Sequence, residues 1–157
     1  MVIEKAKESD ARLLCLVAIS AFEDDKKFKP AKVKLEDPPG HDSSETHREW
    51  IREHDYFKCV IGGDIVGGCI VKSYVDYYEL FGIFLHKDFI GRGIGRKLLH
   101  EVMKLYPARS NWSLETPDYA YRNHRFYERS GFLEIERSGA DPNLGYGFVR
   151  YKFLSKG

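Results

Sequence analysis

The sequence predicts an α+β fold in which one mixed, mostly antiparallel sheet is flanked by helices. Three observations carry this prediction. Several β-rich runs follow one another through short turns between residues 56 and 85, apolar residues recur at helical spacing on either side of them, and the length of 157 residues suits one domain. We therefore expect a single domain over residues 1–157, with elements in the order β-α-α-β-β-β-α-β-α-β-β.

The first half of the chain predicts two helices between a first strand and a three-stranded meander. Ser9 and Asp10 can cap the first helix, and Ser43 begins a run that can cap the second. The pair Gly62-Gly63 indicates a hairpin turn. In chain order the elements are a strand over 2–6, a helix over 9–20, a long loop over 23–42, a helix over 43–54, and strands over 56–61, 65–74 and 77–85.

The second half predicts two helices that each follow a strand, and a final pair of strands. The first of these helices carries Leu98, Leu99, Val102 and Leu105 at helical spacing and stops at Pro107. In chain order the remaining elements are a glycine-rich turn over 90–97, a helix over 98–105, a strand over 112–116, a helix over 120–130, and strands over 132–138 and 146–154.

Composition excludes several classes of protein. The net charge of +1 provides no overall field for a nucleic acid, and no window approaches the run of about 20 apolar residues that a membrane span requires. The N-terminus mixes both charge signs, so we expect a cytoplasmic protein. Cys15, Cys59 and Cys69 lie in apolar runs and are expected to be reduced and buried, and no metal-ligand spacing occurs.

The glycine-rich turn over residues 90–97 has the features of an anion-binding loop. It lies between a strand and a helix, where backbone N–H groups and the helix N-terminus can converge on a phosphate. The turn carries three cations, Arg92, Arg96 and Lys97. Their charges are unfavourable beside the positive end of the helix dipole unless an external anion binds there. The alternative is that the glycines only form a tight connection between the strand and the helix and bind no ligand. The turn ends in Gly-Arg-Lys-Leu instead of the Gly-Lys-Ser/Thr of a P-loop, and the strands before it form hairpins rather than a Rossmann unit.

Two segments resemble the GNAT superfamily of acetyl-CoA-dependent N-acetyltransferases. Residues 79–99, ELFGIFLHKDFIGRGIGRKLL, are similar to the family's strand, pyrophosphate loop and following helix. Residues 123–132, NHRFYERSGF, are similar to its late helix with a Phe-Tyr pair and a closing Gly-Phe. The resemblance covers nearly the whole chain in element order. It implies a GNAT-like acyl-CoA N-acyltransferase fold, with acetyl-CoA as co-substrate and no metal.

The resemblance also implies which residues bind the co-substrate. The backbone of Phe84 and Leu85 would pair with the pantetheine arm, and Asn123 would be a further contact. Two positions depart from the family: Ile90 replaces an Arg or Gln at the start of the loop, and Ala120 replaces an Asn. The amides expected to hold the pyrophosphate are those of Ile90, Gly91, Arg92, Gly93, Ile94, Gly95 and Arg96.

Two residues are candidates for the chemistry. Strand alternation is expected to place Glu79 on one face with Phe81, Ile83 and Leu85. In the resembled family a glutamate at this position often acts as general base, frequently through water, and Tyr127 matches a tyrosine that protonates the leaving thiolate. The alternative for Glu79 is a residue at a strand end that faces solvent, and the alternative for Tyr127 is an aromatic residue of the core.

The expected function is transfer of an acetyl group from acetyl-CoA to a primary amine by direct attack. A catalytically silent acyl-CoA-binding sensor or interaction module is the alternative. The expected partner is a small-molecule or peptide amine, without nucleic acid or membrane, and a homodimer is left open. Residues 23–47 and 139–145 are expected to determine which amine is accepted, because the family builds its acceptor site from these regions.

Overall fold

Seven strands form one sheet in the computed structural model, which describes residues 1–26 and 40–153 of the chain. The strands are β1 (Val2–Lys5), β2 (Asp55–Ile61), β3 (Asp64–Ser73), β4 (Tyr78–Leu85), β5 (Trp112–Pro117), β6 (Leu133–Arg137) and β7 (Phe148–Phe153). Their order across the sheet is β1-β2-β3-β4-β5-β7-β6. Every neighbouring pair is antiparallel except β4 and β5, which confirms the predicted α+β architecture.

Helices cover both faces of this sheet. They are α1 (Ala11–Asp25), α2 (Ser44–Glu53), α3 (Ile94–Met103) and α4 (Tyr121–Arg129). On one face α1 and α2 bury a smaller cluster that includes Leu14, Ala18 and Phe84. On the other face α3 and α4 bury a larger cluster that includes Leu98, Tyr127 and Tyr151. Cys15, Cys59 and Cys69 are free thiols in the interior, as predicted. Within the described ranges no helix is both long and apolar enough to cross a bilayer.

Local signals in the sequence account for several boundaries. The Ser43 hydroxyl accepts a hydrogen bond from the Thr46 N–H at 3.2 Å and caps α2. Gly62 and Gly63 have φ values of +59° and +84°, as a tight hairpin of primed type requires.

The predicted loop over 23–42 begins too early and the predicted last strand is too long. Helix α1 continues through Asp25, although acidic residues at its end oppose the helix dipole, because Arg122 on α4 pairs with Asp24 and Asp25. Residues 27–39 of the loop lie outside the described residues. The last strand begins at Phe148 rather than 146, since Tyr146 forms an isolated bridge with Asp141. Its final predicted residue, 154, also lies outside the described residues.

A buried polar contact joins α2 to the sheet. His47 is 1% exposed; its Nε2 lies 2.6 Å from the carbonyl oxygen of His41 and its Nδ1 lies 2.7 Å from the Tyr56 hydroxyl. A carbonyl only accepts, so Nε2 carries the proton and Nδ1 accepts from the phenol. The neutral ring is thereby satisfied on both sides. Burial lowers the pKa of His47, and the ring packs edge-on against Phe84, which ties this contact to the wall of the cleft described below.

We expect His47 to make the folded state sensitive to acid. Its pKa lies below the ordinary value of 6.5, so the unfolded chain binds more protons below that pH. The stability associated with neutral His47 is therefore complete above pH 6.5 and is lost as the pH falls towards the lowered value. The loss approaches about 1.4 kcal/mol per pH unit at most. Urea unfolding at pH 7 and pH 5.5 should show a steeper loss for the wild type than for His47→Gln. Equal losses in both proteins would contradict this role.

Candidate functional site

A β-bulge interrupts β4 at Phe81. Val71 of β3 pairs with Leu80 and Ile70 pairs with Gly82, so Phe81 is one residue in excess on β4. A bulge bends its strand and reverses the alternation of side chains beyond it. Leu80 accordingly belongs to the cluster under α3 and α4, whereas Phe81 packs against the cluster under α1 and α2.

The sheet splits beside this bulge. Strands β4 and β5 pair at Tyr78 with Trp112 and at Glu79 with Ser113, and the described residues form no further pair between them. The edge of β4 from Leu80 to Leu85 therefore faces β5 across a gap. At about 3.3 Å per residue this edge is roughly 20 Å long. Its backbone N–H and C=O groups on that side are available to a ligand, because an extended ligand can pair with a free strand edge.

A cleft of about 720 Å³ occupies this gap. It reaches both sides of the sheet, because its lining includes Ala21 and Phe22 of α1 as well as residues of α4. The lining residues from β4 and the following turn are Ile83, Phe84, Leu85, Ile90, Gly91, Gly93, Gly95 and Arg96, and those from α4 run from Tyr121 to Arg129 without His124 and Glu128. We call this space the cofactor cleft.

The three glycines of the turn differ in what they provide. Gly91 and Gly93 have φ values of +85° and +77°, which L residues rarely adopt, and a Cβ added to either would meet open space. Both therefore leave the mouth of the cleft open and the turn tightly curved. Gly95 serves packing instead, since an added Cβ would lie 3.2 Å from the Phe126 ring and 3.5 Å from a Leu85 methyl carbon.

The rim of the cleft carries uncompensated positive charge. Arg96 on α3 and Arg125 and Arg129 on α4 line the cleft, and within the described part of the chain none of them has a carboxylate partner. Arg122 differs, because it pairs with Asp24 at 2.9 Å and with Asp25 and so links α4 to α1 across the cleft. An anion at this rim would encounter three arginines and the N-terminus of α3.

Gly67 and Gly68 in the middle of β3 shape the inner wall, and sequence reasoning did not single them out. A Cβ on Gly68 would lie 2.6 Å from the Phe84 ring, and one on Gly67 would lie 2.7 Å from the Phe84 carbonyl oxygen and from a Leu85 methyl carbon. The absence of side chains at Gly67 and Gly68 thus makes room for Phe84 and Leu85, which form this wall. Adjacent glycines inside a strand were the available signal, since such positions mark a close approach.

Most of the predicted binding residues meet in the cofactor cleft. Its lining includes Phe84, Leu85, Ile90, Gly91, Gly93, Gly95, Arg96 and Asn123. Arg92 and Ile94 do not line it. The Arg92 guanidinium lies 5.3 Å from the centre of the Phe89 ring, and the Ile94 side chain packs against the larger core cluster.

Tyr127 lies in the core and in the cleft lining at once. It is 8% exposed and packs edge-on against Phe126 and Phe132, with the Tyr151 ring 6.1 Å away. Its ring is thus held by the core while it contributes to the cleft surface. A place in the core is therefore compatible with the predicted role of Tyr127 as the residue that protonates the thiolate.

Glu79 lies at the apex of the split, outside the cleft lining. It is half-buried, and the Tyr74 hydroxyl donates to its carboxylate at 3.3 Å. The charge of Glu79 raises the pKa of Tyr74. The prediction that Glu79 shares a face with Ile83 and Leu85 is wrong, because the bulge reverses the alternation after Phe81. Glu79 shares its face with Phe81 instead, on the side of α1 and α2.

These features fit an acyl-CoA. The free edge of β4 suits an amide-containing arm, and the open glycine turn with its arginines suits a pyrophosphate. A phosphate can approach the backbone of the turn closely, because Gly91 and Gly93 leave free the space into which a Cβ would project. No group of three or more metal-binding side chains occurs among the residues described.

The architecture is that of the GNAT acyltransferase fold. The model of the acetyltransferase (GNAT) family matches residues 19–132, and the chain therefore belongs to this family. No protein among the curated sequences matches the chain.

Solved structures share the fold at low sequence identity. A GNAT-family acetyltransferase from Desulfovibrio desulfuricans has a TM-score of 0.74 and 20% identity, over 98% of both chains. The ribosomal-protein-S18-alanine N-acetyltransferase from Escherichia coli has a TM-score of 0.70 and 15% identity, over 99% of this chain and 94% of its own. A ribosomal L7/L12 α-N-protein acetyltransferase in complex with coenzyme A has a TM-score of 0.74 and 13% identity, over 98% of this chain and 93% of its own.

Proposed function

We propose that this protein transfers an acetyl group from acetyl-CoA to a primary amine. The observation that carries the proposal is the cofactor cleft. It begins at the glycine turn, where Arg96 has no carboxylate partner among the described residues, and it passes between β4 and β5 to the other face of the sheet. Family membership and the coenzyme A complex of a structural neighbour support it.

The residues of the chain then have distinct tasks. Amides of the turn from Ile90 to Arg96 bind the pyrophosphate, and the free backbone edge at Phe84 and Leu85 orients the pantetheine arm. Asn123 offers an amide side chain on the opposite wall. Bound acetyl-CoA supplies an activated acyl thioester, which an amine can attack without a covalent enzyme intermediate.

The split also explains how an amine could meet the thioester. Glu79 is the last β4 residue paired with β5, and its side chain lies on the α1 and α2 face. Tyr127 lies on the α3 and α4 face. We propose that the amine approaches from the side of Glu79, directly or through water, and that the sulfur departs on the side of Tyr127. This arrangement would provide a proton acceptor for the attacking amine and a proton donor for the departing sulfur, the two proton transfers of amine acylation.

The first test is binding of coenzyme A, measured by calorimetry. We expect the wild type to bind and Gly93→Val to lose binding, because the new side chain would project into the mouth of the cleft. Gly63→Val is the matched control, since Gly63 also has a positive φ and open space for a Cβ but lies in the β2–β3 hairpin. Both variants should lose similar stability and only Gly93→Val should lose binding. A wild type that does not bind at about 1 mM ligand refutes the proposal.

Turnover with a panel of amines tests the reaction itself. Small amines, amino acids, amino sugars and peptides with free N-termini should be compared at saturating acetyl-CoA, with release of the free thiol as the signal. Acetylation of one class above the rate of thioester hydrolysis supports the enzyme. Binding of coenzyme A without transfer to any amine would favour the sensor or interaction module instead.

A further inference from the structure

Lys72 and Glu79 lie directly opposite each other on the neighbouring strands β3 and β4. Residues in this position share a face of the sheet, with Cβ atoms about 5 Å apart. The face is the one that α1 and α2 cover, because Lys72 Nζ lies 3.7 Å from the centre of the Phe81 ring, which packs there. The Trp50 ring of α2 lies 5.3 Å from the Phe81 ring. The two charged side chains therefore lie at the apex of the split, on the side of α2.

The opposite charges of Lys72 and Glu79 do not form an ion pair, although other oppositely charged residues that face each other across the sheet do. Among the described residues no carboxylate pairs with Lys72, and its ammonium contacts the Phe81 ring instead. The comparable pairs that do bond are Glu4 with Lys58 at 3.7 Å and Glu115 with Arg150 at 2.7 Å. Facing positions alone therefore do not explain the separation of Lys72 from Glu79.

Separate contacts hold the two charges apart. The Tyr74 hydroxyl donates to the Glu79 carboxylate at 3.3 Å, and the Lys72 ammonium lies over the face of the Phe81 ring. Lys72 and Glu79 are both half-buried. Lys72 is thus available to an anion and Glu79 to a cation. A site of this kind is complementary to a small molecule that carries both charges.

His54 follows the last turn of α2 and interacts with both charges. Burial lowers the pKa of His54, and the positive charge of Lys72 lowers it further. The charges of Glu53, Glu79 and Asp55 act on this pKa in the opposite direction. His54 is therefore neutral at pH 7 and does not occupy the Glu79 carboxylate as a cation.

We propose that the acceptor is an α-amino acid, whose ammonium meets Glu79 and whose carboxylate binds Lys72. The inference rests on the proposed function, because the amine must reach the thioester at the split beside Glu79. An α-amino acid carries both charges on one carbon atom, so it can contact two residues that lie opposite each other. Lys72 is then a residue that determines specificity for the acceptor.

Lys72 keeps its proton while the acetyl group moves. A bond forms between the amino nitrogen and the acyl carbon, and the C–S bond breaks. The ammonium loses two protons in the reaction. One passes through Glu79 to solvent, and the other replaces the proton that Tyr127 gives to the sulfur, so coenzyme A leaves as the free thiol.

Rates with free amino acids and with their carboxamides test this assignment. Each pair has the same side chain, and kcat/KM is measured from thiol release at saturating acetyl-CoA. The wild type should use its best amino acid about tenfold better than the matching carboxamide, as a charge-assisted contact implies. The amine of the carboxamide is the less basic of the two, so easier deprotonation of the amino acid cannot explain such a preference.

Lys72→Met should reduce that preference to about threefold or less, because methionine conserves the contact with the Phe81 ring and removes the charge. The loss should appear in KM for the amino acid more than in kcat. Lys72→Arg keeps the charge and should retain most of the preference. Lys152→Met, at an exposed lysine of β7, is the matched control and should retain all of it.

Three results would overturn the assignment while transfer to an amine still supports the proposed function. The first is equal use of amino acids and carboxamides by the wild type, and the second is an undiminished preference in Lys72→Met. The third is preferential use of an amine that lacks a carboxylate beside it, such as an amino sugar or a peptide N-terminus. A wild type that binds no coenzyme A or acetylates no amine is a different result, because it refutes the proposed function and this inference with it.

Discussion

Replacing Tyr127 by phenylalanine is expected to lower kcat by about tenfold or more while the affinity for acetyl-CoA stays nearly unchanged. The ring of Tyr127 packs against Phe126 and Phe132, and phenylalanine preserves those contacts. The departing sulfur would lose its proton donor. Steady-state rates and calorimetry on the same variant separate the effect on turnover from the effect on binding.

Tyr151→Phe is the matched control for this experiment. Tyr151 is fully buried, its ring lies 6.1 Å from that of Tyr127, and it does not line the cofactor cleft. Loss of its hydroxyl can change stability but removes no group from the cleft surface. Equal rates for Tyr127→Phe and the wild type would assign Tyr127 to the core alone. Equal losses in both variants would indicate a packing effect.

The sequence predicted the element order and the glycine turn because both depend on local signals. Apolar periodicity, the Ser43 cap and the Gly62-Gly63 turn each act within a few residues. The cations near Gly93 likewise indicated an anion site, and of these Arg96 lines the cleft whereas Arg92 lies over the Phe89 ring.

The features that the sequence did not reveal depend on contacts between distant segments. The bulge at Phe81 adds one residue to a strand whose alternation looks regular, and only the pairing with β3 shows it. Asp24 and Asp25 at the end of α1 pair with Arg122, which lies almost a hundred residues further along the chain. Arg109 has a φ of +68°, and no sequence pattern predicts this left-handed conformation at an arginine.

The largest effect on turnover is expected from Glu79→Gln, which removes the candidate base while it conserves shape. At neutral pH most alkyl amines are protonated, since their pKa is about 10, so the enzyme must remove a proton before or during attack. The variant should be slower by about a hundred- to ten-thousandfold at pH 7. Near pH 9 to 10 a growing share of the amine arrives neutral, and the defect should shrink. The measurement is the ratio of wild-type to variant kcat/KM across this range with one identified amine.

The Glu115→Gln variant is the control for Glu79→Gln. It distinguishes the loss of a general base from a general effect of removing one negative charge. Glu115 lies two residues beyond Ser113, the partner of Glu79, and so on the same face of the sheet, where Arg150 pairs with it at 2.7 Å. Its loss should change the rate little and equally at every pH. If Glu79→Gln behaves in the same way, with a small ratio that does not vary with pH, then Glu79 is not the base. The candidates for the base would then be His86 or a water held by backbone carbonyls at the free edge of β4.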